Sequence, residues 1–184
     1  IPVYIQLCRQ MGIKILPPDI NSSAATFGIE DGAIRFGLAA VRNVGENAIV
    51  SMERVRAEGG KFRSLVDFCA RVDMRAVNKR AIESLIKCGA FDSIGTERNQ
   101  LLASLDAAMQ DAARRQRDVL SGQGGLFGEE TMEEVQQVRI AENVPPSTAH
   151  ERLMWEKEAT GFYITGHPLD DYRDTLSALL SIGE

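Results

Sequence analysis

The sequence has few of the residues and runs from which several kinds of site are built. It contains three cysteines, Cys8, Cys69 and Cys88, and two histidines, His150 and His167. Because the cysteines form an odd, scattered set, they indicate reduced thiols, and neither a disulfide framework nor a zinc site is expected. No apolar run approaches the ~18 residues of a membrane span. We therefore expect a cytoplasmic protein with no metal site and no membrane partner.

The net charge of −5 does not by itself favour a nucleic-acid partner, but the charges are unevenly distributed. Residues 33–80 contain ten Lys or Arg against five Asp or Glu, an excess of +5. Residues 106–184 contain seven basic and fifteen acidic residues, an excess of −8. Phosphate contacts depend on the local field more than on the total charge. Residues 33–80 are therefore the candidate anion-binding region.

The most informative run is Leu38 to Ile49, which predicts a short helix, a tight turn and a second helix. Asn43 and Gly45 flank the apolar Val44 in the turn. Both flanking residue types tolerate positive φ, so Val44 can turn inward between the helices. The second helix begins near Glu46, where unpaired amides and the positive end of the helix dipole can bind a phosphate oxygen.

We predict that this helix-hairpin-helix unit binds a DNA backbone without reading bases. The carboxylate of Glu46 opposes this function, because it would repel a phosphate. An ordinary helical hairpin with a polar turn is the alternative. The candidate contacts are the turn, the start of the second helix and nearby basic side chains: Arg42, Asn43, Val44, Gly45, Glu46, Asn47, Ala48, Arg54 and Arg56.

A second helix-turn-helix is predicted from Asn78 to Leu105, with its turn at residues 88–91. Asn78 is a favoured N-cap residue, and Gly89 is a favoured helix stop. A purely structural partner that completes the core is an equally good interpretation of this unit. The candidate phosphate contacts of the second unit are its basic residues: Lys79, Arg80 and Lys87.

The expected fold class is mainly α: a tandem helix-hairpin-helix module with a small β-hairpin, followed by a linker and further short helices. The β-hairpin is predicted from two short apolar runs around the turn at residues 30–32. Ser64, followed by Asp67, predicts a capping box at the start of another helix. Residues 121–146 are poor in apolar residues and rich in Gly, Gln and Glu, which favours a linker.

The linker contains one apolar group, in the run from Gln123 to Phe127. Leu126 and Phe127 can fill a hydrophobic pocket of a partner while Gln123 forms a hydrogen bond at its rim. Such a short peptide buries little area and alone should bind weakly. The alternative is that Leu126 and Phe127 cover the surface of the protein itself.

Several sequence blocks, taken in order, resemble the alpha subunits of bacterial replicative DNA polymerase III. The family usually has Gly where this chain has Asn43. The resemblance extends over nearly the whole chain. Its blocks are Leu16–Ser22, Ile34–Leu38, Val44-Gly45, Asp67-Phe68, Asn78–Arg80, Gly89–Asp92, Glu158–Tyr163 and Gly166–Leu169.

The resemblance implies a non-catalytic fragment with double-stranded DNA, the sliding clamp and the rest of the polymerase III holoenzyme as partners. Residues 1–20 then end the fingers domain, 21–110 form the tandem helix-hairpin-helix domain, and 147–184 lead to the OB domain. Residues 111–146 form the linker, with Gln123, Leu126 and Phe127 as the clamp-binding motif. The family binds magnesium on palm aspartates that this sequence lacks, so no cofactor is expected in this fragment.

Two other classes of function are weighed against this one. A helix-hairpin-helix glycosylase or nuclease would need a catalytic Asp just after the hairpin, whereas residues 48–56 offer only Glu53. A protein-interaction scaffold without DNA binding of its own is favoured by the acidic residues 106–184. The basic excess around the first hairpin argues against that scaffold.

Overall fold

The structure is a computed structural model that describes residues 2–120, 141 and 143–172. Over these residues the fold is mainly α with a small three-stranded sheet, as the sequence predicts. The helices are α1 Pro2–Gln10, α2 Glu46–Gly59, α3 Leu65–Arg71, α4 Lys79–Lys87, α5 Arg98–Leu120 and α6 Ala149–Thr160. The strands are β1 Ile15–Leu16, β2 Gly28–Glu30 and β3 Ala33–Arg35. Short 3-10 turns lie at Leu38–Ala40, Asp92–Ile94 and Asp170–Tyr172.

The predicted β-hairpin is confirmed and gains a third strand. β2 and β3 pair antiparallel, with Ile29 opposite Ile34. Between them Asp31 and Gly32 have φ of 50° and 76°, as a two-residue hairpin turn with both φ positive requires. β1 pairs parallel to β3, which gives the order β1-β3-β2. Because β3 ends at Arg35, the sheet positions the start of the first hairpin at Leu38.

One apolar core joins the sheet, both hairpins and the loop after α6. The ring of Phe68 on α3 lies 4.9 Å from that of Phe62 and 5.0 Å from that of Phe91. At the other end, the rings of Phe36 and Phe162 are 5.3 Å apart. The buried Cys69 and Cys88 are free thiols within this core, and burial raises the pKa of each to about 12. Both are therefore protonated at neutral pH.

α6 packs against α4 and is capped by a capping box between Thr148 and Glu151. Glu156 is fully buried and accepts the amides of Ile164 and Thr165, both at 3.0 Å. These bonds fold the chain after α6 back onto the helix. The described part of residues 147–184 is therefore packed on the helical module.

α5 continues to Leu120, inside the range 111–146 that the sequence predicts as linker. Asp111 supports this continuation, because its carboxylate binds Arg114 at 2.6 Å and Arg115 at 2.7 Å within the helix. The predicted clamp-binding residues Gln123, Leu126 and Phe127 lie outside the described residues, as does residue 173 onward. Over the described part of the chain, no helix is long and apolar enough to cross a bilayer.

Candidate nucleic-acid interface

The first hairpin is built as predicted, except that its first helix is only the 3-10 turn Leu38–Ala40. Asn43 adopts the left-handed conformation with φ 65°, and Val44 is buried, at 8% exposure. Gly45 instead has φ −80° and ψ 164° as the N-cap residue of α2. A Cβ at Gly45 would meet no atom within 4 Å. Gly45 therefore leaves its backbone open to an external group.

Two hydrogen bonds that the turn donates to other helices hold it in place. The side-chain amide of Asn43 donates to Oγ of Ser84 on α4 at 2.9 Å. The backbone amide of Arg42 donates to the carbonyl of Ala159 near the end of α6 at 2.7 Å. The turn is thus fixed by α4 and α6 before any ligand arrives.

The start of α2 differs from the starts of three other helices. α3, α4 and α6 are each capped by a side chain that accepts a backbone amide of the first turn: Ser64, Asn78 and Thr148. The N-cap residue of α2, Gly45, offers no side-chain cap. Among the described residues, no acceptor is provided for the amides of Gly45, Glu46 and Asn47. These amides point from the positive end of a 14-residue helix.

Three of the predicted basic contacts are exposed and form no ion pair or side-chain hydrogen bond with any described residue. They are Arg42, Arg54 and Arg80. The other predicted basic contacts, Arg56, Lys79 and Lys87, do form such bonds. Their guanidinium groups are therefore available to a phosphate.

The other three predicted basic contacts already have partners within the chain. Nη1 of Arg56 donates to two backbone carbonyls, each at 2.9 Å, and so holds α2 to the segment between β1 and β2. Nζ of Lys79 lies 2.6 Å from the Asp106 carboxylate, which raises the pKa of Lys79. Nζ of Lys87 lies 2.8 Å from the carboxylate of Glu158.

The second hairpin repeats the backbone of the first one. Gly89 has φ 86°, as Asn43 has φ 65°, and the following Ala90 is fully buried, as Val44 is mostly buried. The next residue is the buried Phe91, where the first hairpin has the open Gly45.

Arg98 closes the turn of the second hairpin from within the chain. It is only 4% exposed, and it donates to both carboxylate oxygens of Asp92 at 2.9 and 2.6 Å and to the carbonyl of Lys87 at 3.0 Å. A Cβ at Gly89 would collide with this guanidinium. These contacts favour the interpretation of the second hairpin as a structural partner.

Comparison with known proteins agrees with this geometry. A helix-hairpin-helix motif model matches residues 12–101. The DNA polymerase III subunit alpha of Vibrio cholerae is 42% identical over 177 residues, which cover 95% of this chain and 15% of the relative. The same subunit of Caulobacter vibrioides is 44% identical over 169 residues, covering 92% of this chain and 14% of the relative. The chain belongs to the DNA polymerase III alpha subunit family.

The chain spans about 15% of the length of the Vibrio cholerae relative that it matches. The motif model covers both hairpins and ends within α5. It stops before α6, although α6 packs on α4 and accepts the amide of Arg42. The structure therefore adds α6 to the unit that positions the first hairpin.

Glu53 is the carboxylate that a helix-hairpin-helix glycosylase would have to use, and it is already bonded within the chain. Oε1 of Glu53 accepts the amide of Ala25 at 3.1 Å, so its carboxylate holds the segment between β1 and β2. Within the described ranges, no group of three or more His, Cys, Asp or Glu is placed to hold a metal ion.

The sequence-based prediction does not include Arg75, an exposed arginine in the turn between α3 and α4. It shares a groove of about 400 Å³ with Asn47 and Arg54 of α2. The basic excess of residues 33–80 includes Arg75, but no motif in the sequence singles it out.

Proposed function

We propose that this chain is a non-catalytic module of a bacterial replicative DNA polymerase that holds duplex DNA by its phosphates. The observation that carries the proposal is the start of α2, where three amides have no acceptor among the described residues and Gly45 leaves the approach open. A helix N-terminus of this kind binds anions through its amides and its dipole. Contacts to phosphates carry no sequence information directly, so binding is independent of base sequence.

The exposed arginines add charge around this site. Arg42 is in the turn itself, and Arg54 is on α2, about two helical turns beyond its start. Arg80 is near the start of α4, whose Ser84 holds Asn43. Glu46 is exposed at the same end of α2 and reduces the attraction.

Salt-dependent duplex binding by the whole chain tests this function. We expect fluorescence anisotropy to show binding that ignores base sequence and weakens steeply as salt rises, because counterions are released from the phosphates. Gly45→Ala should weaken this binding severalfold without loss of stability, since its φ of −80° suits any residue and its Cβ has open space. Gly28→Ala, which also has open space, is the matched control. Absence of binding at low salt would overturn the proposal.

We also propose that residues 123–127 tether the polymerase to its sliding clamp through Gln123, Leu126 and Phe127. The support is the sequence resemblance, in which a Gln precedes an adjacent Leu-Phe pair within a polar linker. A weak peptide contact of this kind gains strength when the DNA-binding module adds a second attachment.

A clamp pull-down tests the tether. Replacing Leu126 and Phe127 by Ala should abolish capture by the clamp and leave duplex binding unchanged. Met132→Ala, in the same linker, is the control. Capture that survives the double replacement would sink the clamp assignment while leaving the DNA assignment intact.

The domain assignment is likewise a proposal. Residues 1–20 end the fingers, 21–110 form the tandem helix-hairpin-helix domain, 111–146 contain the end of α5 and the linker, and 147–184 lead to the OB domain. The magnesium-binding palm of the family belongs to the rest of the polymerase.

A protein-interaction scaffold is the second candidate, and α1 is the observation that favours it. Three apolar side chains of this helix are exposed, Val3, Tyr4 and Leu7, and the exposed Met11 follows the end of the helix. If the whole chain binds no duplex at low salt, this surface becomes the better-supported site. The anisotropy titration therefore discriminates between the two functions.

A further inference from the structure

We infer that a groove beside the first hairpin binds a second phosphate of the same duplex, with Arg54 and Arg75 as its cationic contacts. This inference rests on the proposed function and extends it to a second contact site. The groove lies between α2 and the turn at residues 73–77, and both arginines line it.

Neither Arg54 nor Arg75 is paired with an acidic side chain of the described residues. Both side chains are exposed, and neither guanidinium forms an ion pair or hydrogen bond with a described residue. Arg71, only a few residues earlier, shows the contrast: its guanidinium donates to the carbonyls of Val55 and Gly60 at 2.6 and 2.8 Å. The groove therefore holds two positive charges that the fold does not use.

The backbone that carries Arg75 is held rigidly against α2. The amide of Asp73 donates to Oγ of the buried Ser51 at 2.9 Å. The carbonyl of Asp73 accepts the amides of Ala76 and Val77 at 3.0 and 2.8 Å, which closes the turn. Arg75 is thus presented from a fixed backbone position, so its binding carries no cost for ordering the turn.

Asp73 also places a carboxylate in the groove, and this carboxylate opposes an anion. Its Oδ1 accepts the backbone amide of Arg75 at 2.9 Å, so part of its charge is used within the turn. Two guanidinium groups against one engaged carboxylate leave the groove net positive. Phosphate is the anion that this arrangement suits, because Arg donates to phosphate oxygens in a fixed fork.

The groove is continuous with the anion-binding start of α2. Asn47 belongs to the first turn of the helix and also lines the groove. Arg54 follows at a rise of about 10 Å along the helix axis. In each strand of a duplex, one phosphate occurs about every 3.4 Å of the helix axis. A strand with one phosphate at the hairpin therefore brings further phosphates to the groove.

The test compares Arg75→Gln with Arg63→Gln in the full 184-residue chain, by duplex anisotropy over a series of salt concentrations. Arg63 is the matched control, because it is exposed, its guanidinium has no partner among the described residues, and it lies outside the groove. We expect Arg75→Gln to weaken binding equally for all duplex sequences and to reduce the slope of log affinity against log salt by about 0.9. Arg63→Gln should match the wild-type chain.

Three results would count against the inference, and they are distinguishable. If wild-type chain binds and Gly45→Ala weakens binding while Arg75→Gln does not, the groove is wrong and the hairpin stands. If Arg75→Gln and Arg63→Gln weaken binding equally, the effect is one of general charge, and the groove again fails. If wild-type chain binds no duplex, the proposed function and the groove fail together.

Discussion

Asn43 and Gly45 stand two residues apart in the first hairpin and have different physical roles. Asn43 takes the positive φ that the turn needs and is secured by Ser84. Gly45 has an ordinary φ, and its lack of a side chain leaves the amides of α2 uncovered. In this turn the glycine leaves space at the helix start, while the asparagine supplies the unusual conformation.

Substitutions at Asn43 separate the cost of positive φ from that of the hydrogen bond to Ser84. Asn43→Ala loses both, and we expect it to lower the free energy of unfolding by about 2 kcal/mol. Asn43→Gly loses only the hydrogen bond and gains a favourable φ, so we expect a loss below about 1 kcal/mol. Urea unfolding measures both values.

Ser84→Ala is the control at residue scale, because it removes the same hydrogen bond without changing any φ. It should resemble Asn43→Gly rather than Asn43→Ala. Equal losses for the Ala and Gly variants of Asn43 would show that the left-handed conformation costs nothing at this turn.

Among the elements, α6 is the helix whose importance only the structure reveals. It accepts the amide of Arg42, pairs Glu158 with Lys87, and buries Glu156 against the chain that follows it. Trp155, the single tryptophan of the chain, lies on this helix and is half-buried. Its fluorescence therefore reports whether α6 is docked.

The capping box of α6 predicts a dependence of its docking on pH. Hydrogen bonds from the amide and hydroxyl of Thr148 lower the pKa of Glu151 below its usual value of 4.5. A lowered folded-state pKa gives stability that is present above the unfolded pKa and is lost as pH falls through the folded pKa. We expect the urea midpoint followed by Trp155 to decrease below about pH 4.5, and Glu151→Gln to flatten that decrease.

The control for this pH series is Glu58→Gln, because Glu58 is an exposed residue in the last turn of α2 and lies outside every capping box of the described helices. A pH profile that Glu151→Gln leaves unchanged would show that other carboxylates cause the acid sensitivity of α6.

At the scale of helices, local sequence signals predict much of what is observed. Asn78 caps α4 as expected, and Ser64 caps α3 through the amide of Asp67 at 3.0 Å. The Ser64–Asp67 capping box is only half formed, because the Asp67 carboxylate accepts the amide of Arg63 instead. The first helix of the first hairpin shortens to a 3-10 turn, since the amides of Leu38 and Ala39 donate to the carbonyls of Ala24 and Ala25 and the turn packs against α2.

Across the whole molecule, a buried charge cluster joins α6 to the second hairpin. The Glu156 carboxylate is fully buried and lies 3.8 Å from the guanidinium of Arg98, which also binds Asp92. The same carboxylate accepts the hydroxyl of Thr165 at 2.9 Å. The second hairpin, α5, α6 and the loop after α6 are therefore connected through one buried residue.

Removing that residue should affect the whole fold. Glu156→Ala leaves the amides of Ile164 and Thr165 without their acceptor and Arg98 with less compensation, so we expect a loss of about 3 kcal/mol in unfolding free energy. Glu158→Ala, which breaks the exposed pair with Lys87, should cost less than about 1 kcal/mol. Urea unfolding of both variants measures the difference. Equal losses would contradict a structural role for the buried cluster.

The sequence by itself determined the features that depend on neighbouring residues. The β-hairpin, the inward Val44, the left-handed Asn43, the caps at Ser64 and Asn78, and the mainly α class all follow from local conformational preference and apolar spacing. The tertiary structure alone decided which basic residues remain available. Lys79 meets Asp106, and Lys87 meets Glu158, across separations that no local pattern encodes, while Arg54 and Arg75 meet at a groove without such partners. Pairing between distant charges depends on how helices pack, and packing is a property of the whole core.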